Sequence, residues 1–276
     1  MEFELKKMLD AIFGDLNNFF TANCFITEEA KITELQEDCH IDIIKNYFRE
    51  NNYDILLIKN ENNKLSYIKR EDIENHKNIK NNFINISEEE KVKTYTQIPE
   101  IIEKFETFYY LFVYDEKNMF TGLITYADLN KPPLYSYLYI IISYFETLLR
   151  DVIEINYRKD EWLKLLSEDN QKIIKDRFDD DKNKGIEISY LECTTLCHIT
   201  QILGKEKKIT NLSCYSGKQK YKSKIKKILN YRNSIMHSKT LITSKKECKE
   251  FYYFLCDFCT QIREIKNYYI RVKEEK

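Results

Sequence analysis

The chain has 276 residues, which is enough for two modest domains. Five glycines and three prolines are present in all, and this scarcity argues against a loop-rich or sandwich fold and indicates a high helix content. The formal net charge of −1 excludes a uniformly basic or acidic protein. The charge is uneven, however, because residues 204–228 are strongly basic and residues 177–181 are acidic, and a local basic patch is compatible with contact to nucleic acid.

The amino terminus and the apolar segments bear on the cellular compartment. The first residues read as an amphipathic helix and lack the hydrophobic core of a secretory signal peptide. We therefore expect a cytoplasmic protein whose eight cysteines are free thiols. The most apolar run, Leu138 to Phe145, is too short to span a bilayer and leads directly into charged residues, so we expect a buried helix and no membrane contact.

Two groups of cysteines have spacings that a metal site could use. They are Cys256-x2-Cys259 and Cys193-x3-Cys197-His198. Both spacings also fit the buried stripe of a helix, where a free cysteine behaves as a small hydrophobic residue. Core packing is the preferred interpretation, and a structural zinc is the alternative.

Residues 53–73 and 109–129 form an internal repeat that aligns without a gap, so that Tyr53 matches Tyr109 and Ile73 matches Leu129. Each copy reads as an apolar strand, a polar hairpin turn, a second strand and the start of a helix. A short helical pattern precedes each copy, at Ile41 to Phe48 and at Ile98 to Phe105. The repeated unit is therefore a helix, two strands and a helix.

The second copy carries a family resemblance. Val113-Tyr-Asp-Glu, followed by Gly122-Leu-Ile-Thr-Tyr-Ala-Asp128, resembles the second strand pair of a CBS domain, the module first named from cystathionine β-synthase. The resemblance covers roughly residues 18–132 and implies two units packed sheet to sheet that bind an adenine nucleotide as a regulatory ligand. By resemblance, Thr125 and Asp128 would contact phosphate and ribose hydroxyls beside a helix start.

The first copy departs from this pattern. Ser66 stands where Gly122 does, Lys69 stands where Thr125 does, and only Asp72 is kept as the counterpart of Asp128. The resemblance therefore implies one intact nucleotide site and one that is altered or lost. The alternative is a pair of units kept only as a scaffold or dimerisation module.

Two consecutive prolines at 132–133 mark the predicted domain boundary. We predict an α+β CBS-like pair over residues 1–132, followed by an all-α helical bundle over 133–276. The helical periodicity predicts five helices joined up and down by short connections. They start at about 134, 160, 188, 218 and 245, and the second ends before an acidic loop at 179–185.

Glu146 lies among apolar positions of the first of these helices. Ile142, Leu149 and Ile153 share its stripe. A carboxylate there is costly unless it is paired or belongs to a site. Arg150, four residues further on, is the expected partner.

The segment Tyr231-Arg-Asn-Ser-Ile-Met-His237 places an arginine, an amide and a histidine close together. This chemistry suits a phosphodiester, because a cation holds the phosphate and an imidazole moves protons. The alternative is an ordinary helix end with a cationic residue near its carboxyl terminus.

Arg232 to His237 resembles the signature of the HEPN superfamily, the higher eukaryote and prokaryote nucleotide-binding helical domains. In that family an arginine, often followed by a polar residue, precedes a histidine; here the spacer is four residues and the polar residue is Asn233. The resemblance covers about residues 134–272. Phe145 to Arg150 also looks like the family's first helix, which often carries an acidic residue, here Glu146.

The resemblance implies a metal-independent endoribonuclease that dimerises so that both Arg-His pairs line one cleft. A ribose 2′-OH would attack the adjacent phosphate and leave a 2′,3′-cyclic phosphate and a 5′-OH. His237 would act as acid or base, Arg232 would neutralise phosphate charge, and Asn233 would orient the ring or the substrate. Glu146 is a further candidate member of the site, and no catalytic cofactor is required.

The lysines that precede the motif suit single-stranded RNA. We predict that Lys222, Lys226 and Lys227 contact phosphates and that Tyr221 stacks on a base. The alternative is a solvated lysine face. Some HEPN toxins carry a tyrosine two residues after the histidine, and Lys239 stands there instead, so the antitoxin control that uses that tyrosine is not expected.

The leading hypothesis from the sequence is a homodimeric, nucleotide-regulated endoribonuclease that acts on RNA in stress, as a toxin or in phage defence. The alternative belongs to another class: a non-catalytic nucleotide-binding sensor that dimerises through its bundle and recruits a partner. Two facing copies of His237 across a two-fold cleft would distinguish the nuclease from the sensor.

Overall fold

The structure is a computed structural model, and it describes residues 4–13, 16–27, 32–33, 41–51, 53–59, 64–75 and 83–276. The chain divides into two compact units. We call Asn18–Leu129 the sheet unit, and Met1–Asn17 together with Asn130–Lys276 the helical unit. Residues 1–17 were predicted to belong to the amino-terminal domain, but they belong to the helical unit. The reason is packing: helix α1 (Glu4–Phe13) lies against the last helix, and Tyr137 donates a hydrogen bond to Asn17 Oδ1 at 2.8 Å.

The sheet unit contains two sheets within its described residues. The first has the spatial order β1 (Ile32–Thr33), β2 (Ile55–Lys59), β3 (Leu65–Lys69) and β4 (Ile84–Asn85). The second has the order β5 (Lys91–Lys93), β6 (Tyr110–Tyr114) and β7 (Phe120–Thr125). Its helices are α3 (Ile41–Glu50), α4 (Arg70–Asn75) and α5 (Ile98–Lys104), and the short α2 (Leu16–Phe19) stands at the division of the chain. Each copy of the predicted repeat has a helix followed by an antiparallel strand pair, which confirms this part of the prediction. The closing helix is α4 in the first copy and a 3₁₀ helix, Tyr126–Asn130, in the second.

The strand β2 is buried on both faces, which explains its unbroken apolar sequence. Leu56 and Ile58 pack in a core cluster with residues of α3 and α4. Ile55 and Leu57 point to the other face and pack in a cluster that includes Phe112 of the second sheet. The two sheets therefore pack face to face.

Gly122 in β7 allows a close approach of the segment that precedes the first repeat. A Cβ atom at this position would lie 2.3 Å from Ile26 Cγ2 and 3.1 Å from the carbonyl oxygen of Thr27. The N–H of Thr27 donates to the carbonyl of Leu123 at 2.9 Å, so this backbone is tied to β7. The glycine that the sequence resemblance noted thus has a steric role.

We expect Gly122→Ala to lower the free energy of unfolding by about 1–3 kcal/mol, because Ile26 must move to accommodate the methyl group. Urea denaturation of the full chain measures this change. Thr121→Ser, at the exposed neighbouring position, keeps the hydroxyl and should change stability by less than about 0.5 kcal/mol. Equal stability of Gly122→Ala and the native chain would contradict the steric role.

The helical unit is built around one long helix, α6 (Pro132–Asn156), which packs against α8, α10 and α11. The remaining helices are α7 (Glu168–Asn183), α8 (Leu196–Leu203), α9 (Lys207–Thr210), α10 (Lys218–Met236) and α11 (Lys245–Glu274). The predicted apolar neighbours of Glu146 on α6, which are Ile142, Leu149 and Ile153, are buried, and this confirms the stripe. Among the described residues, no helix combines the length and apolarity needed to cross a bilayer.

Three predicted helix boundaries were wrong. The second helix was expected from about 160, but α7 begins at Glu168, because a 3₁₀ helix at Glu161–Leu165 ends before the N-cap Ser167. The acidic segment after residue 178 was expected to be a loop, but α7 continues to Asn183, because acidic side chains in an exposed helix face meet no packing conflict. The third helix was expected from 188, but α8 begins at Leu196. Thr195 fixes that start by a capping box, in which its hydroxyl accepts from the N–H of His198 and its own N–H donates to His198 Nδ1 at 3.3 Å.

The same histidine makes the stability of the fold depend on pH. His198 is buried, and burial, aided by the charge of Arg177, lowers its pKa in the folded chain. The unfolded chain therefore binds the proton more readily, and stability is lost as pH falls below the ordinary histidine pKa of about 6.5. We expect the melting temperature to fall more steeply between about pH 7.5 and about pH 5.5 in the native chain than in His198→Asn. Parallel slopes in differential scanning calorimetry would contradict this.

Candidate functional site

A cleft of about 470 Å³ opens in the sheet unit. Its lining comes largely from equivalent positions of the two aligned repeats. The equivalent pairs are Asp54 and Tyr110, Lys69 and Thr125, Arg70 and Tyr126, and Glu71 and Ala127, with Tyr109 in addition. Because repeat-related residues meet here, the cleft lies on the approximate two-fold axis of the repeat.

Two cations of the cleft differ in how firmly they are held. Arg70 donates from Nε to the carbonyl of Tyr53 at 3.0 Å and from Nη2 to the carbonyl of Asn51 at 2.6 Å. Among the described residues, Lys69 has one loose ion pair, with Nζ 3.6 Å from Glu71 Oε1, and the Glu71 side chain is exposed. An exposed pair of this kind contributes little, so Lys69 can exchange Glu71 for a ligand anion at small cost.

Thr125 lines the cleft, and Asp128 holds Thr125 in place. The backbone N–H and the hydroxyl of Thr125 donate to Asp128 Oδ2 at 2.7 and 2.9 Å, and the hydroxyl of Thr27 donates to Asp128 Oδ1 at 2.7 Å. Since its proton is engaged, the Thr125 hydroxyl offers an acceptor to a ligand hydroxyl. Among the described residues, neither Asp128 nor Asp72, in the first turn of α4, lines the cleft.

Aromatic side chains form another part of the wall. The Tyr109 side chain is 51% exposed, and its ring offers a flat surface for a base. Burial raises the pKa of Tyr110 to about 12, and the nearby charges of Asp54 and Glu71 add to this effect. Tyr110 therefore stays a neutral phenol that can donate a hydrogen bond at neutral pH.

A smaller cavity of about 190 Å³ lies between α6 and α10 in the helical unit. It brings together two charged residues that the sequence analysis selected on separate grounds, Glu146 and Arg232. The expected partner of Glu146 is confirmed, because Arg150 Nη2 donates to Glu146 Oε1 at 2.5 Å and also to the carbonyl of Thr194 at 3.0 Å. Arg150 thus balances the charge of Glu146, and the charge of Arg232 stands in excess.

Arg232 is half-buried, and within the described part of the chain its guanidinium has no hydrogen bond or ion pair. A partly desolvated cation without a partner costs free energy. An anion in the cavity would remove this cost. Asn233 is exposed on the neighbouring face of α10.

His237 follows the last residue of α10 and is exposed. Its backbone is fixed by a Schellman motif, in which Ser238 donates to the carbonyl of Ile235 at 3.0 Å and Lys239 donates to that of Ser234 at 2.9 Å. Ser238 takes the left-handed conformation this motif requires, with φ of 48°. The imidazole is one residue beyond Met236, which lines the cavity, and is not itself among the lining residues.

The predicted RNA-binding residues separate into two groups. Lys222, Lys226 and Lys227 are exposed on α10, as phosphate contacts require. Tyr221 is only 2% exposed, and its hydroxyl donates to the carbonyl of Thr200 at 2.9 Å. Tyr221 is therefore a core residue, which corrects its assignment to base stacking.

All cysteines in the described part of the chain are free thiols, and Cys39 lies outside it. Burial raises the pKa of Cys259 to about 12, so its thiol stays protonated, as expected of a core residue. Cys193 is buried too, while Cys197 is exposed. The described residues contain no group of three or more histidine, cysteine or acidic side chains placed to hold a metal ion.

Sequence reasoning did not select several residues that line the two cavities. In the sheet unit these are Asp54, Arg70, Glu71, Tyr109, Tyr110, Tyr126 and Ala127. The repeat contains the information needed to predict these residues. Lys69 and Thr125 are equivalent positions, so the residues that flank them in the two copies lie near each other at the two-fold axis. In the helical unit, Tyr139 and Ser143 precede Glu146 by seven and three residues and so share its helix face.

No protein-family model matches this chain, and no curated protein matches it. Among solved structures, it is similar to a hemolysin-like protein containing a CBS domain from Oenococcus oeni PSU, with 19% identity, a TM-score of 0.34, and coverage of 40% of this chain and 86% of that one. It is also similar to the CBS domain of a bacterial CNNM/CorC family Mg2+ transporter in complex with ATP, with 12% identity, a TM-score of 0.36, and coverage of 45% and 92%. A third is a conserved CBS domain protein from Thermoplasma acidophilum, with 15% identity, a TM-score of 0.33, and coverage of 40% and 67%. Identities and TM-scores as low as these do not place the chain in a family.

Proposed function

We propose that this protein is a nucleotide-responsive sensor whose sheet unit binds an adenine nucleotide in the cleft at Lys69 and Thr125. One observation carries the proposal: the two repeats contribute equivalent residues to one cleft that combines cations, a hydroxyl and aromatic rings. Its volume of about 470 Å³ is in the range of small-molecule sites. The choice of adenine follows the sequence resemblance to CBS domains.

Each group of the cleft has a role in this proposal. Lys69 and the firmly held Arg70 attract the phosphates. Thr125 accepts from a ribose hydroxyl, and Tyr109 stacks on the base. Asp128 positions Thr125 and makes no direct contact with the ligand.

Titration calorimetry of the full chain tests the proposal. ATP, ADP and AMP are titrated in parallel, with GTP as the control for the base. We expect at least one adenine nucleotide to bind with a Kd of about 1–100 µM and to raise the melting temperature. No heat and no thermal shift with about 1 mM of every nucleotide would refute the sensor.

The helical unit supports a second candidate function, RNA cleavage by a homodimer. The observation that favours it is the unpaired guanidinium of Arg232 beside the cavity that it shares with Glu146, within the described part of the chain. A phosphodiester would supply the missing anion, and the exposed lysines of α10 would hold the flanking phosphates.

In this reaction the 2′-oxygen forms a bond to phosphorus while the bond from phosphorus to the 5′-oxygen breaks. One imidazole takes the proton of the 2′-OH and another gives a proton to the leaving 5′-oxygen. One chain has one His237, so two copies supply the two roles. Regulation would further require that the nucleotide bind active and inactive states with different affinity.

A further inference from the structure

A second cleft of about 690 Å³ lies in the sheet unit, at the ends of the two hairpins. It shares no lining residue with the cleft at Lys69 and Thr125. Its described walls come from the strands β2 to β7 and from described residues beside them. The lining residues are Lys59, Lys64, Leu65, Asn85, Ile86, Glu88, Lys91, Tyr114, Asn118, Met119 and Phe120.

The charges of this cleft are unbalanced. Three lysines line it, with Glu88 as the one acid among the described lining residues. Lys91 uses that acid, because its Nζ donates to Glu88 Oε1 at 2.5 Å. The ammonium of Lys59 has no hydrogen bond or ion pair in the described part of the chain. The cleft therefore carries positive charge that no described carboxylate compensates.

The neutral polar groups of this cleft also favour an anionic ligand. The amide oxygen of Asn85 accepts from the hydroxyl of Ser66 at 3.1 Å, and that of Asn118 accepts from Lys93 Nζ at 2.5 Å. Both acceptors are thus engaged, and each amide keeps its NH₂ group as a donor. A lining that offers ammonium and amide donors fits a ligand that is anionic and rich in acceptors, which are the properties of phosphate groups.

Two aromatic rings provide an apolar wall next to these donors. The rings of Tyr114 and Phe120 are 5.7 Å apart in an edge-to-face arrangement, and Lys91 lies over Tyr114 at 5.4 Å. A cleft of this size can hold a ligand that joins phosphates to a planar ring.

We propose that this hairpin-end cleft is a second ligand site, which takes a polyphosphate-bearing nucleotide through Lys59, Lys91, Asn85 and Asn118. It is separate from the adenine nucleotide site of the proposed function. The chain then binds two nucleotides, one at each end of the packed sheets.

The test uses inorganic tripolyphosphate and ATP as probes in titration calorimetry of the full chain. We expect Lys59→Glu to weaken tripolyphosphate binding at least about tenfold, because a charged hydrogen bond is lost and a like charge is introduced. We expect the ATP stoichiometry to fall from two per chain to one in this variant. Lys117→Glu makes the same charge change in the exposed turn between β6 and β7, does not line the cleft, and should alter affinity less than about threefold.

Two further variants keep the outcomes separate. Lys59→Gln removes the charge without reversing it and replaces Lys59→Glu if circular dichroism shows that the latter is misfolded. Lys69→Glu reports on the other cleft. Tripolyphosphate binding that is lost in Lys69→Glu and unchanged in both Lys59 variants overturns this inference and leaves the proposed function intact. Loss confined to the Lys59 variants supports the inference even if the adenine site fails, and no tripolyphosphate binding by the native chain overturns it.

Discussion

Lys69→Glu is expected to weaken adenine nucleotide binding at the cleft of Lys69 and Thr125 by about a hundredfold or more, and to leave the hairpin-end cleft unchanged. The native lysine pairs loosely with Glu71, at 3.6 Å, so its charge is available to a phosphate. A charged hydrogen bond of this kind contributes roughly 1.5–3 kcal/mol. The glutamate removes it and adds a third acid to a wall that already has Asp54 and Glu71. Calorimetric titration with ATP measures the loss.

Two controls separate this effect from damage to the fold. Lys69→Gln should retain more affinity than Lys69→Glu, because it removes the cation without adding repulsion. Lys117→Glu should bind ATP at the Lys69 cleft with native affinity, because it lines neither cleft. Native affinity in Lys69→Glu, with an unchanged melting temperature, would exclude phosphate binding at this lysine.

His237→Ala is expected to lower RNA cleavage by about 10²–10⁴-fold, the usual contribution of a general acid or base. The alanine keeps the exposed helix end but removes the group that transfers protons. Arg232→Ala should cause a loss of about 10²–10³-fold, because charge stabilisation at the phosphate is lost. A 5′-labelled RNA resolved on a denaturing gel, with assignment of the cyclic phosphate ends, measures both rates.

His198→Asn is the matched control for this experiment. It also removes a histidine from the helical unit, but His198 is buried and caps α8. Its cleavage rate at about pH 7.5 should equal that of the native chain. Equal cleavage in His237→Ala and the native chain, or no cleavage by either with any nucleotide, would refute the nuclease and leave the sensor as the function of the chain.

The fold was predictable from the sequence where a residue pattern is compatible with only one kind of packing. The gapless repeat identified both strand pairs, because the first strand of each, β2 and β6, is buried on both faces and is therefore an apolar run. The start of helix α10 was predicted at about 218, where the structure has it. The start of α8 was not predicted correctly. The hydroxyl of Thr195 and the imidazole of His198 determine it, and helical periodicity does not reveal this cap.

The candidate sites were harder to predict, because they depend on which residues meet across elements. Glu146 and Arg232 were selected separately, and the sequence did not indicate that α6 and α10 place them at one cavity. Tyr221 was wrongly assigned to base stacking. The helix α10 has one apolar face and one lysine-rich face, and residue spacing alone did not show that Tyr221 lies on the apolar face. Asp128 was expected to touch the ligand, yet its carboxylate accepts hydrogen bonds from the N–H and hydroxyl of Thr125 and from the hydroxyl of the distant Thr27.

The helical unit is discontinuous in the chain, and this has a consequence for its synthesis. The helix α1 packs against α11, so α1 leaves the ribosome long before its packing partner has been made. The whole sheet unit is translated in the interval and completes its own core from residues 18–129. Newly made chains therefore pass through a stage in which the sheet unit is complete while α1 is still unpacked, and the proposed function would let a nucleotide bind at this stage. A nucleotide present during translation would stabilise these incomplete chains before the helical unit exists.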